Sequence, residues 1–274
     1  MKFFITLTIA IIGTFGLGII LSIMIFKLSK EGSKMSVKKR VIITFGLGFI
    51  FFIIGGILYF SDYSKAEANA LSDMKGSDNV KVFDVPEGYF FDGPGTEDAL
   101  VFYAGAKVDE KAYSHLILGL SEQGIDCFLI SMPLHHAFTN KEVAIKLTGE
   151  YRYDNWYLCG HSLGGAMVSF CANKEPQLFN GLFLLGSYPS EKIDDSMKFV
   201  SFLGSEDNVV DRKQYEKGKE FWPSKGYEVI INGGNHAGYG DYGEQPGDGL
   251  ATISKEQQQN TVVEDILKEV KGGI

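Results

Sequence analysis

Two continuous apolar runs open the chain. Residues 3–26 carry no charge over 24 positions, and residues 41–60 carry none over 20. As helices rising about 1.5 Å per residue, each run is long enough to cross a hydrocarbon layer of about 30 Å. Between them Lys27, Lys30, Lys34, Lys38, Lys39 and Arg40 stand against Glu31 alone. A short loop this basic predicts a cytoplasmic turn. The pattern thus predicts a transmembrane hairpin over 1–60, multi-pass in the cell membrane, with everything after residue 60 on the extracellular, non-cytoplasmic side. A cleaved signal peptide fits less well: the first run far exceeds an apolar region of about 7–15 residues, and no Ala-x-Ala site follows it. Buried core helices fit less well again, given the all-round apolarity and flanking lysines. Thr14-Phe15-Gly16-Leu17-Gly18 recurs as Thr44-Phe45-Gly46-Leu47-Gly48, which predicts two similar faces where small residues let helices approach.

After a polar, turn-rich stretch over 61–79, expected as a linker or frayed helix, the periodicity changes. Short apolar runs at 80–85, 89–91, 99–103, 126–132, 156–159, 181–185, 199–203 and 227–231 read as strands. Helical patterns fall at 109–120, 141–149, 166–172, 212–221 and 262–270. Strands that are apolar throughout and alternate with helices predict a mostly parallel sheet covered on both faces, that is, one α/β domain over 80–274.

Composition changes this picture in two ways. One of the 34 acidic residues and seven of the 26 basic ones lie in the first 60 positions, leaving 33 against 19 and a net charge of −14 thereafter. So acidic a domain gives no electrostatic reason to bind nucleic acid, and none is expected as a partner. Cys127, Cys159 and Cys171 all sit in apolar runs and read as small core hydrophobes, not a disulfide framework. No Cys/His spacing suggests a metal, and no cofactor is expected.

The chemistry is concentrated at Gly160-His161-Ser162-Leu163-Gly164. An apolar strand-like run precedes this Gly-x-Ser-x-Gly and a helix-like run follows. That context predicts a sharp turn presenting Ser162 as a nucleophile, with the Leu163 N–H at a helix start where negative charge is favoured. Serine needs a base, and the base an orienting acid. Among five histidines, His115 lies in a helical pattern, His161 is too close along the chain to swing back, and His135 and His136 follow Pro133. His236, in the loop Asn232-Gly233-Gly234-Asn235-His236 past the last strand, can reach the sheet edge that Ser162 occupies. The acid is expected after the strand ending Phe202-Leu203-Gly204, where Asp207 is favoured over Glu206 and Asp211. A second oxyanion donor is expected from the N–H of Ala106. Lys107 as a substrate clamp, and His135, His136 and Phe138 as site-lining residues, compete with plain surface and core roles. The strands at 181–185 and 199–203 are joined by only 187–197, too few residues for a separate lid domain, so the site is expected to be open.

The order Ser…Asp…His on alternating strands resembles the α/β-hydrolase superfamily. Tyr103-Ala104-Gly105-Ala106-Lys107-Val108-Asp109, Ser131-Met132-Pro133, Gly160–Gly165, Gly204–Asp207 and Gly233-Gly234-Asn235-His236 resemble its lidless, dienelactone-hydrolase-like branch, the fold-5 family. Tyr239-Gly240-Asp241-Tyr242-Gly243-Glu244-Gln245 also fits, whereas Ala104 stands where that branch would have proline. The resemblance covers about 80–274. It implies an α/β-hydrolase fold, Ser162 as nucleophile, His236 as base, Asp207 as acid, and the N–H groups of Leu163 and Ala106 as oxyanion hole. The expected activity is ester hydrolysis on a small-molecule or lipid-like acyl substrate. Acyl transfer by the same residues, and a non-catalytic tethered binding protein, remain as alternatives.

Overall fold

The computed structural model describes residues 2–28 and 34–272, with side chains from residue 12 onward. Lys30 and Glu31 of the basic turn therefore lie outside the described residues. The chain divides into two units, meeting between residues 62 and 63.

The first unit is a pair of antiparallel helices, α1 (Lys2–Leu28) and α2 (Val37–Ser61). Ser36 caps α2 through its side chain. The two recurring pentapeptides pack on one another: a Cβ on Gly18 would lie 2.6 Å from the Gly48 Cα, and one on Gly48 would lie 2.9 Å from the Phe15 ring. The Ser22 hydroxyl bonds Thr44 Oγ1 at 2.9 Å across the same seam. Other apolar side chains of the pair, among them Ile12, Phe45, Ile57 and Leu58, are exposed. Among the described residues, α2 is the one helix long and apolar enough to cross a membrane, with a mean hydropathy of 2.6; α1 contributes a shorter apolar stretch, Ile12–Leu28.

The second unit is built on eight strands: β1 (Lys81–Val85), β2 (Gly88–Asp92), β3 (Asp98–Tyr103), β4 (Asp126–Ile130), β5 (Asn155–His161), β6 (Gly181–Leu185), β7 (Lys198–Gly204) and β8 (Tyr227–Ile231). They form one sheet in the order β1-β2-β4-β3-β5-β6-β7-β8. β1, β2 and β4 pair antiparallel, and every pairing from β4 to β8 is parallel. Alternation along β3 explains the layering. Leu100 and Phe102 point to one apolar cluster, with Leu116 and Leu120 of α4 (Ser114–Glu122) and Val262 and Ile266 of α8 (Lys255–Lys271). Val101 and Tyr103 point to the other, with Leu147 of α5 (Val143–Glu150) and Val168 of α6 (Leu163–Lys174). All four β3 side chains are 0% exposed, and each fully buried large apolar group stabilises the fold by about 1.5–3 kcal/mol. The three cysteines are buried and unpaired, as core hydrophobes.

Two expectations are corrected. Residues 63–79, expected as a linker or a frayed helix, are not a linker: from Tyr63 onward they belong to the second unit. Ala70 of the short helix α3 (Ala68–Asp73) is 0% exposed. Its carbonyl takes the Ser114 hydroxyl at 2.5 Å, and Glu67 N–H donates to Asp241 O at 2.8 Å. Helix α8 also begins seven residues before the expected 262. A capping box of Ser254 and Gln257 starts it, and its polar first turns hide buried Gln258 and Gln259 from a search for apolar periodicity.

Candidate active site

Parallel β5, β6, β7 and β8 end on one edge of the sheet, so the loops that leave them share that edge. At the end of β5 the backbone reverses at Ser162, whose φ and ψ are 52° and −118°. The turn is pinned from below: Ser162 N–H donates to Leu185 O at 2.9 Å, and the Ser187 hydroxyl donates to Ser162 O at 2.8 Å. The glycines are sterically required. A Cβ on Gly160 would come within 2.6 Å of the Gly164 backbone, and one on Gly164 would run into the Tyr103 carbonyl. Helix α6 starts at Leu163, so that residue's N–H faces out of the helix N-terminus. Ser162 and Leu163 are both part-exposed.

Asp207 follows β7 and His236 follows β8. The Asp207 Oδ2 lies 2.8 Å from His236 Nδ1, with the two side chains 0% and 1% exposed. Asp207 Oδ1 accepts the N–H groups of Val209 at 3.0 Å and Val210 at 2.9 Å. Burial pushes the Asp207 pKa up, but the hydrogen bond and charge of His236 and these two N–H groups outweigh it, and the net direction is down. The rival acids serve elsewhere: Asp211 caps helix α7 (Arg212–Gly218) through Gln214 N–H, and Glu206 takes the Ser205 hydroxyl. Gly186, at the end of β6 with φ 52°, lies under the pair; a Cβ there would be 2.9 Å from His236 Nδ1 and 3.0 Å from Asp207 Oδ2. The Nε2 of His236 is buried and has no hydrogen bond among the described residues. Nothing in the loop therefore competes for its lone pair.

The His236 loop is clamped by a residue that the sequence did not announce. Gln258 of α8 accepts Asn235 N–H at 3.0 Å and donates to Asn235 O at 2.7 Å, while Asp248 accepts Ala237 N–H at 2.8 Å. His161, 1% exposed, lies with its ring centroid 4.5 Å from that of His236. Its Nδ1 meets Tyr113 Oη at 2.7 Å, and the same hydroxyl accepts Gly105 N–H at 3.2 Å. Burial first, and then the neighbouring His236, hold the His161 pKa well below the usual imidazole range. His161 thus packs against His236 and bonds Tyr113.

Ala106 is half-buried at the turn after β3, and its N–H has no hydrogen bond among the described residues. Lys107, next in the turn, takes φ 59°. His115 leaves the site altogether, bonding Asp73 at 3.0 Å. His136 is 0% exposed with Nδ1 2.6 Å from Leu134 O, whereas His135 stays part-exposed beneath the ring of Tyr63. Residues 186–197 form neither helix nor strand, so no lid is inserted there. Among the described residues no group of His, Cys, Asp and Glu is arranged to hold a metal ion.

Comparison with known proteins bears on the fold that carries this site. A 28% identity over 114 residues links the chain to a protein of Mycobacterium phage D29 provisionally named a non-heme haloperoxidase; the match spans 38% of this chain and 41% of that relative, less than half its length. Among solved structures, dienelactone hydrolase from Anabaena variabilis is similar over 72% of this chain and 99% of its own, with TM-score 0.52 and 14% identity. Carboxylesterase CesB from Bacillus subtilis is similar over 80% and 99%, with TM-score 0.51 and 12% identity. These identities speak to fold alone. The sequence profile of the alpha/beta hydrolase family matches residues 99–260, more than half of the chain, and this protein belongs to that family.

Proposed function

We propose that the protein is a membrane-anchored serine hydrolase that cleaves a carboxylic ester. Ser162 attacks the acyl carbon while His236 Nε2 takes the hydroxyl proton. Asp207 holds the ring with Nδ1–H donated to its carboxylate, and so favours the tautomer with a basic Nε2. The N–H groups of Leu163 and Ala106 receive the oxyanion, the alcohol leaves with the proton from His236, and water repeats the sequence on the acyl-enzyme. Free enzymes commonly hold the serine–histidine contact loosely and tighten it with substrate. The observation that carries this reading is the backbone of Ser162. A non-glycine residue at φ 52°, ψ −118° costs about 1–3 kcal/mol and persists where it serves a site. The names of the two similar structures, a dienelactone hydrolase and a carboxylesterase, support an ester as the bond cleaved.

The anchor in this reading is the α1–α2 hairpin. The 25-residue apolar α2 supports one span, the uncharged run over 3–26 is the sequence basis for a second, and the cations flanking the turn favour a cytoplasmic turn with the hydrolase unit outside.

The test is full-length protein in detergent, treated with a fluorophosphonate probe and short p-nitrophenyl esters beside Ser162→Ala and His236→Ala. Labelling and turnover in the parent, lost in both variants, is the expected result. A folded parent that neither labels nor turns over would overturn it, and labelling without hydrolysis would redirect it to acyl transfer.

A further inference from the structure

Besides Ser162, three non-glycine residues take positive φ among those described: Lys107 at 59°, Leu134 at 58° and His135 at 52°. They lie on the two neighbouring loops that follow β3 and β4. A side chain in this region crowds its own backbone, so the conformation survives only where surrounding bonds over-determine it. Lys107 N–H donates to His135 O at 2.8 Å, which ties the two left-handed turns together. Further restraint comes from Tyr63 and Ser64, outside the 99–260 family match. Ser64 N–H donates to Lys107 O, and Asp109 N–H donates to Ser64 O, both at 2.8 Å, making a parallel bridge across Val108. The Tyr63 ring stacks on the His135 imidazole at 3.8 Å with planes 24° apart.

Ala106 stands between two pins. On one side the Tyr113 hydroxyl holds Gly105 N–H at 3.2 Å; on the other, Ser64 and His135 hold both polar groups of the Lys107 backbone. We propose that Tyr63 and Ser64 are positioning residues that lock the Lys107 turn left-handed and so aim the Ala106 N–H at the oxyanion. The inference rests on the serine-hydrolase reading. Without the Ser64 N–H, the Lys107 carbonyl loses that bond and the left-handed turn loses one of its restraints, so it relaxes toward ordinary backbone and rotates its neighbour. An oxyanion donor acts in the transition state, so its misplacement lowers kcat and leaves KM nearly unchanged.

The experiment uses full-length protein in detergent, reading kcat and KM on a p-nitrophenyl ester and the rate of fluorophosphonate labelling. Ser64→Pro removes the donor and is expected to lower kcat and the labelling rate by about tenfold or more. Ser64→Ala keeps the N–H and stays within about twofold. Lys107→Gly in the Ser64→Pro background restores most of the lost kcat, because glycine adopts positive φ unaided; a merely structural role for Ser64 gives no such rescue. Should Ser64→Pro not fold, Tyr63→Ala is expected to show the same drop in kcat at constant KM. A parent that turns over, with Ser64→Pro or Tyr63→Ala within twofold of it, or a loss that Lys107→Gly does not repair, overturns this inference alone. A folded parent that is neither labelled nor active overturns the underlying reading as well.

Discussion

Asp207 and His236 meet at 2.8 Å, and the carboxylate is held on its far side by the N–H groups of Val209 and Val210. That second contact fixes what a substitution there would do. In Asp207→Asn the two N–H groups still require an acceptor, so the amide oxygen stays with them and the NH2 turns to His236. The ring must then accept at Nδ1 and carry its proton on Nε2, the tautomer that cannot act as a base. The expected outcome is a fall of about 10⁴ in kcat with little change in folding. Ester kinetics beside a thermal melt check it, and an active variant would remove Asp207 from the mechanism.

Gly186 makes a steric counterpart. Its φ of 52° and the 2.9 Å approach of a built Cβ to His236 Nδ1 mean that Gly186→Ala strains the backbone and pushes the histidine from its partner. A loss of about 1–3 kcal/mol in stability is expected, with kcat reduced more than tenfold. Gly149, exposed in α5 with nothing within 4 Å of a built Cβ, is the control. Gly149→Ala should stabilise by up to about 1 kcal/mol through helix propensity alone and leave kcat unchanged. Denaturant unfolding of the two variants separates the effects.

These relationships differ in how far the chain announced them. Ser162, Asp207 and His236 are legible as candidates because each follows an apolar strand with glycine close by, and a parallel sheet brings such loop ends to one edge. The sequence favours Asp207 over Glu206 and Asp211 as the acid, and folding shows which carboxylate turns inward. Gln258 was hidden in a polar run on α8, Tyr113 between two strands, and Tyr63 in a stretch expected as a linker. Each acts through contacts to residues distant along the chain, such as the pair Tyr113–His161. No local periodicity encodes a contact of that kind. The polar 61–79 stretch hides its anchoring because part of it is backbone hydrogen bonding, which any residue can supply, such as Ser64 N–H to Lys107 O and Glu67 N–H to Asp241 O.

His161 offers a pH test. Burial, and then His236, depress its pKa well below the imidazole value near 6.5. Between the folded and unfolded pKa values the unfolded chain therefore binds one more proton, and stability falls as pH drops below about 6.5. One such group gives a slope of about 1.4 kcal/mol per pH unit. His161→Gln should flatten the acid limb of a denaturation-midpoint profile by about one proton. An unchanged slope would assign the acid sensitivity elsewhere, with His136, whose pKa burial also lowers, the next to test.

The hairpin makes its own prediction, independent of the chemistry. Gly18 and Gly48 touch backbone to backbone, and Ser22, 0% exposed, bonds Thr44 at 2.9 Å on the same seam. Gly16 and Gly46, from the same repeated pentapeptides, have nothing within 4 Å of a built Cβ. If close approach of small residues holds the helices together, position within the repeat decides the effect of added volume. The double variant Ser22→Cys, Thr44→Cys should cross-link on mild oxidation in membranes. Adding Gly18→Leu should abolish the cross-link, because the leucine must push α2 away, whereas Gly16→Leu should leave it intact. Gel mobility without reductant reads the result. Equal cross-linking in both leucine variants would mean that the helices are held by something other than the Gly18–Gly48 contact.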